Sequence, residues 1–144
     1  MIALKQLTHE NIRSCLALDA GCDRKNFVAN SFAIAWLYRD SAQPWIICRD
    51  DEPVGFILLV INAEVCSINR FMIDVNHQRQ GYAKAALFAA FNHAMQAGCK
   101  SARLTVSPEN EAAKSLYEGV GFVANGEMEH GEAVMTLELG ARSK

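Results

Sequence analysis

One junction constrains this chain more than any other: Val75-Asn76-His77-Gln78-Arg79-Gln80-Gly81-Tyr82-Ala83-Lys84, where an apolar run gives way to a helical one. Ahead of it, Ile68 to Val75 reads as a strand, with Phe71, Ile73 and Val75 on one face of a period-two pattern. Behind it, Ala83, Leu87, Ala90, Phe91 and Ala94 recur at spacings of three and four, the apolar stripe of a helix that ends near Gly98. A helix N-terminus fed directly by a strand presents unpaired N–H groups and the positive pole of the helix dipole. Gly81 and Ala83 keep bulky side chains away from it, so the N–H groups of Gln80 to Lys84 are predicted to seat a phosphate or pyrophosphate. A helix start that needs a small residue only for packing is the alternative this short stretch leaves open.

Competing phosphate motifs fit worse. The chain has neither a Gly-x-x-x-x-Gly-Lys-Ser/Thr loop nor a Gly-x-Gly-x-x-Gly fingerprint. Its 144 residues, 51% of them hydrophobic, suffice for one domain with its own core and leave no room for a second. A net charge of −2, with 14 basic residues scattered among 16 acidic ones, argues against a nucleic-acid partner. The apolar segment 54–61 is too short to span a bilayer, so no membrane partner is expected. Cysteines 15, 22, 48, 66 and 99 form no Cys-x-x-Cys pair, and the first residues lack the pattern of a secretory leader. Both point to reduced thiols in a cytoplasm. His9, His77, His93 and His130 lack metal-ligand spacing, and no metal site is expected.

Taken in order, Ile2 to Leu7 reads as a strand, and Thr8 as the N-cap of a helix carrying Ile12, Cys15 and Leu16. A second helix is predicted over Lys25 to Tyr38, with Phe27, Ile34 and Leu37 inward. Trp45 to Cys48 and Val54 to Ile61 read as a hairpin about the turn Asp50-Asp51-Glu52-Pro53. After the central helix come a strand over Ser101 to Val106 and a helix started by Ser107-Pro108 and running to about Glu118. Two strands, Phe122 to Ala124 and Ala133 to Leu139, close the chain. The pattern predicts an α/β fold with a central mixed sheet flanked by helices.

A second constellation, Asn110-x-x-Ala113-x-x-Leu116-Tyr117-x-x-x-Gly121-Phe122, lies on and just after that last helix. Together with Gln78-x-x-Gly81-x-Ala83 it resembles the GNAT N-acetyltransferases, which carry Gln/Arg-x-x-Gly-x-Gly/Ala and Asn-x-x-Ala-x-x-Leu-Tyr followed by Gly-Phe in this order. More loosely, Arg70-Phe71-Met72-Ile73-Asp74, Asn26-Phe27-Val28-Ala29-Asn30 and Gly131-Glu132-Ala133-Val134-Met135 resemble the bacterial spermine/spermidine acetyltransferase branch.

The resemblance implies an acyl-CoA N-acyltransferase fold whose two central strands splay apart, with acetyl-CoA as co-substrate and a small-molecule amine as acceptor, polyamines leading. A peptide amine, an aminoglycoside, or acyl-CoA sensing without turnover stay open, and homodimers are common in the family. It assigns cofactor contacts to the main chain of Ile73, Asp74 and Val75, to the loop Gln78, Arg79, Gln80, Gly81, Tyr82, Ala83 and Lys84, and to the Asn110 side chain. Tyr117 is the implied catalytic acid, since a phenol of pKa about 10 readily protonates a departing thiolate of pKa about 8.5. The base is unassigned among Asp74, Glu64 and Glu10.

Overall fold

The computed structural model describes residues 1–8, 10–19 and 40–140. The helix expected over 25–38, and with it the segment 26–30, lies outside them. The described strands are β1 (Ile2–Gln6), β2 (Ala42–Arg49), β3 (Glu52–Asn62), β4 (Val65–Ile73), β5 (Ser101–Val106), β6 (Val123–Glu129) and β7 (Glu132–Glu138). The described helices are α1 (Ile12–Leu16), α2 (Tyr82–Gln96) and α3 (Glu111–Gly119). The strands form one mixed sheet in the order β1-β2-β3-β4-β5-β7-β6. β1 to β4 are antiparallel neighbours, as are β5, β7 and β6, and α2 crosses between the parallel strands β4 and β5.

Alternation along β2 and β3 sorts the core onto two faces. Ile47, Ile57 and Leu59 meet Leu87, Ala90, Phe91 and Ala94 of α2, while Ile46, Cys48, Phe56 and Leu58 meet Cys15 of α1. Burying each such large side chain stabilises the fold by about 1.5–3 kcal/mol before entropy is counted. Val120 and Phe122, just after α3, join the α2 face, so α2 and α3 cover one side and α1 the other.

In β4 the parity changes midway. Cys66 and Ile68 lie on the α2 face, yet so does Ile73, while Met72 lies on the α1 face. The register explains it: Leu58 faces Arg70 but Leu59 faces Ile68, so Asn69 is an extra residue, a β-bulge. The bulge turns the second half of β4 over.

Several element ends differ from the sequence reading. β4 stops at Ile73, and Val75 begins a single 3-10 turn to His77 instead of ending the strand. β3 starts at Glu52, leaving Asp50 and Asp51 as the turn, with Asp50 at φ 54°. Thr8 is engaged with Asn11, each accepting from the other's backbone N–H through its side chain, so the helix proper begins at Ile12. Ser107-Pro108 does not start α3; Asn110 caps it, accepting from the Ala113 N–H at 3.1 Å.

Candidate active site

β4 and β5 pair only at Val65 with Ser101, Cys66 with Ala102 and Ser67 with Arg103, and beyond these rungs the strands part. The N–H of Asp74 donates to Val54 O at 2.7 Å, which makes 54 and 74 a hydrogen-bonded pair on the β3 side. An antiparallel ladder alternates, so the main-chain groups of Ile73 and Phe71 turn the other way, into the gap facing β5. The Ile73 carbonyl is taken by the Gln78 side-chain amide at 3.0 Å.

Val75 is placed differently from the expectation. Its N–H donates to Asp19 O at 2.7 Å, so it is not free to pair with a ligand chain. Asp74, buried beside it, accepts from the Asp19 N–H at 2.8 Å and the Asn76 N–H at 3.1 Å. That carboxylate clamps the end of β4 to the segment after α1. With its two oxygens held by backbone donors it is a structural group, a poor choice for a base.

The loop after it turns tightly. Arg79 has φ 65° and Gly81 φ 80°, and the left-handed Gly81 is the N-cap of α2. The first-turn N–H groups of Tyr82, Ala83 and Lys84 therefore have no partner within the helix. A Cβ built on Gly81 meets nothing within 4 Å, so the space in front of this helix end is open. It forms a cavity of about 330 Å³ that His77, Arg79 and Lys84 line from the loop, Ile73 from β4, and Ala112 and Leu116 from α3. Gln78 and Tyr82 also line it, whereas Gln80 is exposed outside the lining set. His77 was not anticipated; it lies 3.9 Å from Glu52 and 6.5 Å, ring to ring, from Tyr82.

A second cavity, of about 430 Å³, fills the gap itself. Its walls are β4 from Ser67 to Phe71, β5 from Arg103 to Thr105, and Glu129, His130 and Glu132 of the β6–β7 hairpin. Tyr117 reaches it from α3, one residue beyond the Leu116 that lines the loop cavity. The tyrosine ring stacks edge-on against Phe122 at 5.9 Å, held by the short turn in which Phe122 N–H donates to Tyr117 O at 3.0 Å. The two cavities share no lining residue, but near neighbours along the chain line them: Phe71 and Ile73 on β4, and Leu116 and Tyr117 on α3.

Other expected residues are placed elsewhere. Asn110 lines neither cavity, and its side-chain oxygen is used in capping α3. Glu64 is exposed at the opposite end of β4, 3.3 Å from Lys100, and Glu10 is exposed near α1; neither borders the gap. The acids that do border it are Glu129 and Glu132, which sequence spacing could not bring to Tyr117. Glu129 pairs with Arg103, and Glu132 accepts from the Thr105 hydroxyl at 2.7 Å.

The thiols offer no nucleophile at neutral pH among the described residues. Burial pushes Cys15 and Cys66 up to about 12 and raises Cys48 and Cys99 as well. Cys22 lies outside the described residues. No group of three or more metal-ligating side chains occurs among them, and no described helix is long and apolar enough to cross a membrane.

Residues 8–122, which include the strand splay, the glycine-marked helix end and the tyrosine, match the model of the acetyltransferase (GNAT) family. The chain belongs to that family. The spermine/spermidine N(1)-acetyltransferase of Bacillus subtilis (strain 168) is 38% identical over 74 residues, 50% of this chain and 49% of that protein. The chain thus spans about half the length of the curated relatives it matches. Among solved structures, the PaiA N-acetyltransferase of Thermoplasma acidophilum, in complex with coenzyme A, has a TM-score of 0.75 at 16% identity, covering 96% of this chain and 99% of that one. The ribosomal-protein-S18-alanine N-acetyltransferase of Escherichia coli has a TM-score of 0.77 at 18% identity, covering 96% and 94%. Identities this low establish the shared fold.

Proposed function

We propose that this protein moves the acetyl group of acetyl-CoA to a primary amine by direct attack in a ternary complex, with a polyamine as the leading acceptor. The observation that carries the reading is the placement of the open helix end and of the β4–β5 gap with Tyr117 along the same two elements, β4 and α3. The residues fit the co-substrate: the N–H groups of Tyr82 to Lys84 suit a pyrophosphate, with Arg79 and Lys84 adding positive charge. The gap-facing main chain of Phe71 and the N–H of Ile73, whose carbonyl Gln78 holds, suit an extended pantetheine arm, which pairs with them as an added strand would. An N–H from this edge, aimed at the thioester oxygen, stabilises the charge that develops there as the amine attacks. Tyr117 gives a proton to the departing thiolate. Direct attack is favoured over an acetyl-cysteine step because none of the four described thiols lines either cavity, and burial raises each of them above its ordinary value.

Similarity to the B. subtilis spermine/spermidine enzyme supports the polyamine acceptor. A second reading, a peptide or other amine, is favoured by the balanced lining of the gap, where Arg70 and Arg103 offset Glu129 and Glu132. A thiol-release assay with acetyl-CoA and a panel of spermine, spermidine, an alanyl N-terminal peptide, a lysyl peptide and an aminoglycoside decides between them. Turnover confined to the peptides or aminoglycoside would overturn the polyamine acceptor. Tight acetyl-CoA binding with no turnover on any amine would instead make the protein a sensor.

A further inference from the structure

The geometry points to Glu132 as the group that receives the acceptor's ammonium and takes its proton, an inference that rests on the acetyltransferase reading above. Glu129 and Glu132 face each other directly across the β6–β7 hairpin, whose turn at His130 and Gly131 has φ of 51° and 81°. Like charges opposed in this way destabilise a hairpin unless something lies between or beside them. On β5, Arg103 and Thr105 stand two residues apart and so on one face, and each takes one of the two acids. Arg103 neutralises Glu129. Among the described residues Glu132 receives only a neutral hydroxyl, on one oxygen, and a carboxylate can accept several hydrogen bonds.

Glu132 is therefore the acid of this cavity whose charge the β5 wall orients without cancelling. It is half-buried and shares the cavity with Tyr117; Arg70 on the β4 wall and His130 in the hairpin turn are the other ionisable groups lining it. One N–H bond of the ammonium breaks and its proton passes to the Glu132 carboxylate and on to solvent. The freed lone pair forms the N–C bond at the thioester carbon, and collapse breaks the C–S bond. Tyr117 protonates the sulfur and regains a proton from the second N–H lost as the amide forms. Thr105 is the positioning residue that aims the carboxylate.

Glu132→Gln tests this, because the amide oxygen keeps the Thr105 hydrogen bond while the charge and the basic site are lost. With an ammonium acceptor, kcat/KM should fall by about 10²–10⁴, the usual worth of general base catalysis, and recover as pH rises toward the amine's own pKa. With a weakly basic hydrazide, already neutral at the assay pH, the loss should shrink below about tenfold. Calorimetry should show acetyl-CoA affinity unchanged and binding of the ammonium to the CoA complex weakened. Equal losses with both acceptors, or a wild-type pH profile and kcat/KM in the variant, would overturn the role of Glu132 while leaving acetyl transfer in place. Wild-type protein inactive on the whole amine panel would overturn both.

Discussion

Gly55→Ala tests how the sheet sets the geometry of the gap. Gly55 lies opposite Ile73, and a Cβ built on it stands 2.4 Å from the Met72 carbonyl oxygen, 2.9 Å from Ile73 Cδ1 and 3.2 Å from Ile47 Cδ1. The isoleucine ends can rotate aside, but the carbonyl is main chain, and real contacts of this kind are essentially never under 3.0 Å. β3 and β4 must therefore separate by at least about 0.6 Å at this rung, an overpacking strain that costs about 1–3 kcal/mol. For a chain of this size that lowers the thermal midpoint by about 3–12 °C. The strand displaced is the one whose Ile73 and Phe71 groups face the gap, so acetyl-CoA affinity should fall with stability. Calorimetric scanning and titration with acetyl-CoA measure the two effects. Gly119→Ala, in a helix and at a position where a Cβ meets nothing within 4 Å, is the control and should not lower the midpoint or change the affinity. A Gly55→Ala midpoint within about 1 °C of wild type, with unaltered affinity, would refute the claim that this close approach holds β4 in place.

Tyr117→Phe keeps the ring packed on Phe122 but removes the proton, and should lower kcat by about 10²–10⁴ with acetyl-CoA affinity nearly constant; near wild-type kcat where chemistry limits the rate would leave Tyr117 a packing residue. Gly81→Val places a β-branched side chain at φ 80° and before the helix N–H groups, so titration should show CoA binding weakened at least tenfold; unchanged affinity would remove the loop from the phosphate assignment. Because burial raises the Cys15 and Cys66 thiols to about 12, above their unfolded value, the native state keeps protons that the unfolded state releases. Their stabilisation is complete below pH 9, and as pH climbs from 9 toward 12 the unfolding free energy should fall by about 1.4 kcal/mol per pH unit for each thiol, read from denaturant midpoints.

The helix-start loop was legible in the sequence because its signal is local: Gly81 and Ala83 sit within a few residues of the N–H groups they expose. Tyr117 and Phe122 were legible for the same reason, being joined by one tight turn. Asn110 carries two signals at once, since an asparagine three residues before an alanine reads equally as a ligand contact and as a cap, and the structure shows its side-chain oxygen capping α3. The bulge at Asn69 left no mark, since one extra residue in Ile68-Asn69-Arg70-Phe71 still reads as a strand. Val75 was assigned to β4 on its apolar character, although Asp74 accepting from Asn76 bends the chain away there. Glu132 and Thr105 come together only through the pairing of β5 with β7, a relation between strands that spacing along the chain does not encode.

The three rungs joining β4 to β5 have a mechanical consequence. On one side of this seam four strands are laced antiparallel, and on the other three, so three rungs are the only main-chain pairing between the two sets of described strands. An extended arm lying along the open edge of β4 extends the lacing beyond Ser67. Occupancy and rigidity then become one quantity, with a ligand at a hundred times its Kd contributing about 2.7 kcal/mol toward holding the two sets together.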